Sequence, residues 1–190
     1  MKIKALLSLL LLCCLLLLPA CGEPAPVEQE EAAPEGEYSI TTPYEYPERK
    51  AWVHSRSFPE KMEICDIPEE ILAEMSTGAL IESILCHPLL GSFISPAPGE
   101  WEVDLERFSS MLCAVPALYT REDGLDLLEK KNQELQDRLD DIWEAQRKGE
   151  ALPENSSENS LNLKLQAGMA EALLEELKAR AEADSTPEQP

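Results

Sequence analysis

Positive charge is scarce in this sequence: 16 lysines and arginines stand against 37 aspartates and glutamates, a formal net charge of -21 over 190 residues. That deficit argues against nucleic acid as a partner, because phosphate binding needs a basic face that releases counterions. It argues equally against adhesion to anionic lipid by charge. Histidine is scarcer still, at two residues, and no close pair of histidines or cysteines has ligand spacing, so neither a metal site nor any other cofactor is expected. No calcium loop of the helix-loop-helix kind is present. No stretch alternates apolar and polar residues for long enough to suggest a sheet, and no solenoid repeat recurs. No apolar run reaches the roughly 20 residues of a membrane span.

What is present begins with a sharp composition shift. Met1 to Lys4 is a short basic start, and Ala5 to Leu18 is an apolar run interrupted only by Ser8. A dense acidic, proline-rich stretch comes directly after it, which is the layout of a secretory signal. Residues 1–20 are therefore expected to be removed, taking Cys13 and Cys14 with them. Both signal lysines leave and no acid does, so the mature chain is more acidic than the whole. Its length suits one modest domain and excludes a large multidomain enzyme.

Leu18-Pro19-Ala20-Cys21, at the end of the apolar run, resembles the lipobox of bacterial lipoproteins. The resemblance implies that Cys21 becomes the new N-terminus and carries a diacylglyceryl thioether, with palmitate-like chains that hold the protein outside the cytoplasm on the bacterial membrane. Two acyl chains anchor firmly where one only visits, each buried methylene being worth about 0.8 kcal/mol. Ordinary cleavage near Ala20, leaving a free cysteine, is the alternative.

Residues 21–50 read as an acidic, Pro-rich tether, self-repelling and disordered. Tyr38, Tyr44 and Tyr46 make it less featureless than most linkers and would let part of it dock on the domain. Residues 51–184 carry apolar residues at helical spacing and form the predicted domain, with a disordered tail at 185–190. The fold class is all-α: about five helices, the last two a long antiparallel hairpin.

Particular residues place these helices. Asp66 caps the first, with Pro68 in its first turn and Ile71, Leu72 and Met75 on its buried side. Ser76 or Thr77 opens the second, which buries Leu80, Ile81, Ile84 and Leu85 and ends at His87 before Pro88. Residues 88–99 are predicted irregular. The third helix runs from about Glu102 to Val115 and is ended by Pro116. Thr120 with Asp123 caps the fourth, which stops at Gly149. Leu125, Leu128, Asn132, Leu135, Leu139 and Ile142 form its heptad seam, with one polar member. The fifth presents Leu163, Ala167, Ala170, Leu174, Leu177 and Ala181, whose alanines permit close packing on the fourth.

Cys65-Asp66-Ile67-Pro68-Glu69-Glu70-Ile71-Leu72-Ala73-Glu74-Met75-Ser76-Thr77, with Leu80-Ile81-Glu82 and Pro88-Leu89-Leu90, also resembles a segment that recurs in exported bacterial proteins of unknown role. The likeness spans about Met62 to Glu129. It implies an exported helical module and transfers no catalytic residue.

Candidate chemistry is thin. Cys65, Cys86 and Cys113 remain in an oxidising compartment, where three thiols allow one disulfide in any of three pairings, or simply three thiols on apolar helix faces. A bridge would add about 3 to 4 kcal/mol. Cys86-His87 invites a nucleophile-and-base reading, but adjacent helical residues point about 100 degrees apart and cannot face each other. His54 reads as a surface histidine, and His87 as a helix-terminal one favoured by the negative end of the dipole. Trp52, Trp101 and Trp143 read as core anchors. Asn132 either sets the register of a coiled coil or homodimer through the long helices, or reaches solvent where the hairpin widens.

These residues support two functions. The first is a membrane-anchored, non-enzymatic interaction or structural module at the cell surface, meeting an unknown protein or envelope partner. The second is a ligand-binding or hydrolytic surface lipoprotein with its site between Pro88 and Trp101.

Overall fold

The computed structural model describes residues 38–54, 57–97, 100–150 and 156–185. Cys21, with the signal segment and the first part of the tether, lies outside the described residues. The elements in chain order are α1 (Arg49–Trp52), α2 (Phe58–Cys65), α3 (Glu69–Glu74) and α4 (Thr77–Leu85). A 3-10 turn (Leu90–Ser92) leads to strands β1 (Ile94–Ala97) and β2 (Glu100–Val103). Then come α5 (Leu105–Met111), α6 (Ala114–Tyr119), α7 (Gly124–Lys148) and α8 (Ser156–Ser185). The class is all-α with one small β-hairpin among the described residues.

The core is built around α4. Ala79, Leu80, Ile81, Ile84 and Leu85 are buried together with Thr77 and Ser83, so this helix is covered on most of its circumference. A helix apolar on so many sides belongs in a centre, and α4 packs against α6, α7 and α8. Ser76 caps it, its side chain accepting from the Ala79 amide. Cys86 closes it, and His87 stands between it and Pro88, as the pre-proline restriction requires.

The long hairpin forms as its periodicity predicts. Leu128, Leu135 and Leu139 of α7 are buried, as are Leu163, Ala167, Ala170, Leu174 and Leu177 of α8. The helices run antiparallel: Lys178 near the end of α8 pairs with Glu129 near the start of α7 at 2.9 Å. At the other end Lys164 lies over the ring of Trp143, 4.6 Å from its centroid. Gly149 ends α7 at φ 68°, a left-handed position that glycine adopts without a Cβ penalty.

Elsewhere the structure departs from the sequence expectation. An additional helix, α2, precedes Asp66, with Pro59 in its first turn and a capping box in which the Glu60 carboxylate accepts from the Ser57 amide at 2.8 Å. The predicted third helix is three pieces: β2, then α5 and α6, broken at Leu112, whose φ of -131° and ψ of 123° are extended. Pro116 does not end a helix; it stands in the first turn of α6, where a missing N–H costs no intrahelical bond. Residues 94–97 and 100–103 pair antiparallel, Ile94 opposite Val103 and Ser95 opposite Glu102. Each strand has four residues, too few for alternation to show in the sequence. Thr120 closes α6 instead of capping α7, its hydroxyl donating to the Ala117 carbonyl.

The stretch counted with the tether from its composition is, from Tyr38 onward, laid against the helical body. Ile40 makes a parallel bridge to Met75, and Ile40, Tyr44 and Tyr46 pack on the core. Residues 38–50, assigned to the tether from composition, thus include side chains that pack with the body.

Candidate functional site

Each of the three cysteines is an unbridged thiol, so none of the three pairings is formed. Cys65 is buried, whereas Cys86 and Cys113 are exposed, because Cys86 terminates α4 and Cys113 precedes α6. Burial pushes the Cys86 thiol upward, and Glu82 adds to that shift against the opposing pull of Lys131. The Gln166 side-chain amide donates to its sulfur at 3.5 Å. For Cys113 a hydrogen bond with Asp66 and partial burial raise the thiol. An activated nucleophile needs the reverse, a thiol lowered toward thiolate by a cationic setting.

His87 is not the charged helix-terminal residue that its place after α4 implies. It is 3% exposed. Its Nδ1 accepts from the Leu89 amide at 3.2 Å, so the neutral ring carries its proton on Nε2. That nitrogen faces the Cys65 carbonyl without closing a hydrogen bond. Tyr46 stands edge-on to the ring at 5.1 Å and Phe108 at 5.9 Å. Burial pushes the imidazole down to about 4, outweighing the Cys65 carbonyl and the Asp66 charge, which both favour the cation. Desolvation beats the helix dipole here because the ring points into the core. His54, by contrast, is exposed.

The acids that matter are structural ties. Asp66 does not cap α3, whose first turn is reached through Pro68. Its carboxylate accepts from the Ile67 amide at 2.9 Å and from the Cys113 amide at 3.1 Å, joining α2 to the start of α6. Asp123 accepts from the Thr77 hydroxyl at 2.6 Å, joining α7 to α4. Arg121 donates to the Leu72 carbonyl at 2.8 Å while its guanidinium covers the Tyr38 ring at 4.3 Å. These ties were invisible to a reading by sequence neighbours, since their partners lie 46 to 49 residues apart.

The segment from Pro88 to Trp101 spends its apolar side chains inward: Leu89, Leu90, Phe93 and Ile94 are buried. An open concavity lies elsewhere, on the hairpin. It is a groove of about 710 Å³ between α7 and α8 that reaches Val103 of β2. Gln136, Leu139 and Trp143 form one wall, and Lys164, Gly168 and Glu171 the other. Gly168 and Ala172 keep the α8 wall low. Trp143 is 48% exposed, so it is a rim residue and not the core anchor expected. Trp52 does anchor the core, its indole donating to the Pro47 carbonyl at 3.1 Å.

Asn132 sits within the α7 seam, half-buried, and its Oδ1 is enclosed with no hydrogen-bond partner among the described residues. The oxygen does not reach solvent. The seam around it closes within one chain, α7 packing on α8. Among the described residues no group of His, Cys, Asp and Glu is arranged to hold a metal ion, and no helix is long and apolar enough to cross a membrane.

No protein-family model, curated protein or solved structure matches this chain.

Proposed function

We propose that this protein is an exported lipoprotein, held on the outer side of a bacterial membrane by acylated Cys21, whose helical body serves as a non-enzymatic interaction or structural module. The observation that carries the reading is Leu18-Pro19-Ala20-Cys21 directly after a basic start and an apolar run. The strong acidity of the chain beyond Cys21 fits a body that remains soluble and stands off from anionic head groups. The adjacent thiol and imidazole at Cys86 and His87 support the non-enzymatic half: the thiol is raised and exposed, and the ring faces the core. Of the described surface, the groove beside Trp143 is the face best suited to contact, since a half-exposed indole over a low wall offers apolar area at little entropic cost.

The test is fractionation of cells carrying the full chain. Wild-type protein should partition into detergent with an N-terminal mass increment of diacylglycerol, and Cys21→Ala should be released or remain unprocessed. Membrane-bound Cys21→Ala protein of mature size would refute the anchor.

A further inference from the structure

We propose that residues 38–48 are an acid-released strap, which stays docked on the helical body while His87 is neutral and lets go when His87 takes up a proton.

The strap is fastened at a few points along α3 and α4. The Tyr38 ring lies under the Arg121 guanidinium, and the Ser39 hydroxyl donates to the Glu74 carboxylate at 2.7 Å. The Ile40 amide donates to the Glu74 carbonyl at 2.9 Å, and the Ile40 carbonyl accepts from the Ser76 amide at 2.8 Å. Further along, Ser83 receives two bonds, the Tyr44 amide donating to its hydroxyl at 2.8 Å and the Tyr46 hydroxyl to its carbonyl at 2.9 Å, and the Trp52 indole holds the Pro47 carbonyl at 3.1 Å. Between these points Thr41, Thr42 and Pro43 are exposed. The segment adds only partly buried side chains, Ile40, Tyr44 and Tyr46, to the core, and such a peripheral layer can open while the rest stays closed.

His87 lies beneath this fastening, one helical turn beyond Ser83. Tyr46 from the strap covers one side of its ring, Phe108 of α5 another, and Cys65 with Asp66 at the end of α2 a third. From its own segment come Cys86 and the Leu89 amide, which already occupies Nδ1. A second proton on the ring must therefore displace the Leu89 amide and place a cation in a dry pocket that Asp66, the nearby carboxylate, does not offset. Lifting Tyr46 away removes one wall and admits water to the ring.

Linkage fixes the sign. The ring holds its proton less tightly docked, at about 4, than at its ordinary 6.5. Docking is therefore fully favoured above 6.5 and weakens as pH falls toward 4. If release returns the ring to its ordinary value, the docking equilibrium weakens by about 150-fold at pH 4 and approaches about 300-fold below it. The consequence rests on the lipoprotein reading: release adds residues 38–48 to the tether, about 35 Å of extra reach at about 3.3 Å per extended residue.

The experiment is hydrogen–deuterium exchange of the full chain in detergent micelles between pH 7.5 and 4.5, corrected for intrinsic exchange. Peptides covering 38–48 should lose protection on acidification while α7 and α8 keep theirs. His87→Phe keeps the aromatic contacts and cannot titrate, so its strap should stay protected at pH 4.5. Tyr46→Phe removes the bond to the Ser83 carbonyl and should move release to higher pH, which serves even if His87→Phe fails to fold. A strap whose protection ignores pH, one that opens only together with the hairpin, or one released at the wild-type pH in either variant would overturn the proposal. Release in the wild type despite an unacylated Cys21, read as intact mass, would leave the strap standing and fail only the anchor.

Discussion

The body formed by residues 38–121 and the hairpin of α7 and α8 are held together by different means. The hairpin is an apolar seam with ion pairs on its outer faces, such as Lys178 to Glu129 and Lys148 to Glu144. In the body, short helices that could not persist alone are tied by hydrogen bonds between distant residues: Asp66 to Cys113, Arg121 to Leu72, Tyr46 to Ser83. Long helices can rely on repetition, each turn adding another apolar pair. Short helices of 4 to 9 residues depend on particular polar contacts that each occur once. The central helix α4 is the joint between the two, packing on both long helices as well as on α6.

The sharpest way to break this contrast is to open a cavity on each side of it. Phe108→Ala in the body and Leu135→Ala in the hairpin each remove a fully buried side chain, and each should cost about 3 to 5 kcal/mol in urea unfolding followed by circular dichroism. Because α4 joins the parts, both variants should unfold in a single transition with a lowered midpoint. Two separated transitions would show that body and hairpin are independent units.

A smaller effect separates the tie from the seam. Thr77→Val keeps the shape of a buried residue but strips the donor from Asp123, and should cost about 1 to 3 kcal/mol. A neutral result would mean that the junction is apolar in all but appearance. The smallest effect belongs to the hairpin surface: Lys178→Ala removes an exposed ion pair and should cost no more than about 1 kcal/mol, vanishing in high salt. A larger loss there would place real stability in the outer faces.

Legibility followed the same division. The α8 partners of the seam, from Leu163 to Leu177, could be named from spacing alone, as could Gly149 as the stop, while the structure chose Ser76 over Thr77 as the cap. Ala181, at the end of that run, is exposed. The body was harder. Ser57, Pro59 and Glu60 do carry a helix-start signal, and the α2 they open was readable in principle. Asp66 looked like a local cap, and only its distance to the Cys113 amide reveals a tie. Trp143 fitted the pattern of a core residue, yet it falls on the rim of the groove, covered only by the Lys164 side chain beside the small residues Gly168 and Ala172.

The sequence by itself determined the helical class, the antiparallel hairpin and the composition break at Cys21, because each is written in periodicity or local composition. The tertiary structure alone decided that the tyrosine-bearing stretch docks, that His87 is buried and neutral, and that its Tyr46 lid is fastened to Ser83. Those outcomes depend on which distant surfaces meet, and on desolvation at the meeting point, which no pattern of neighbouring residues encodes.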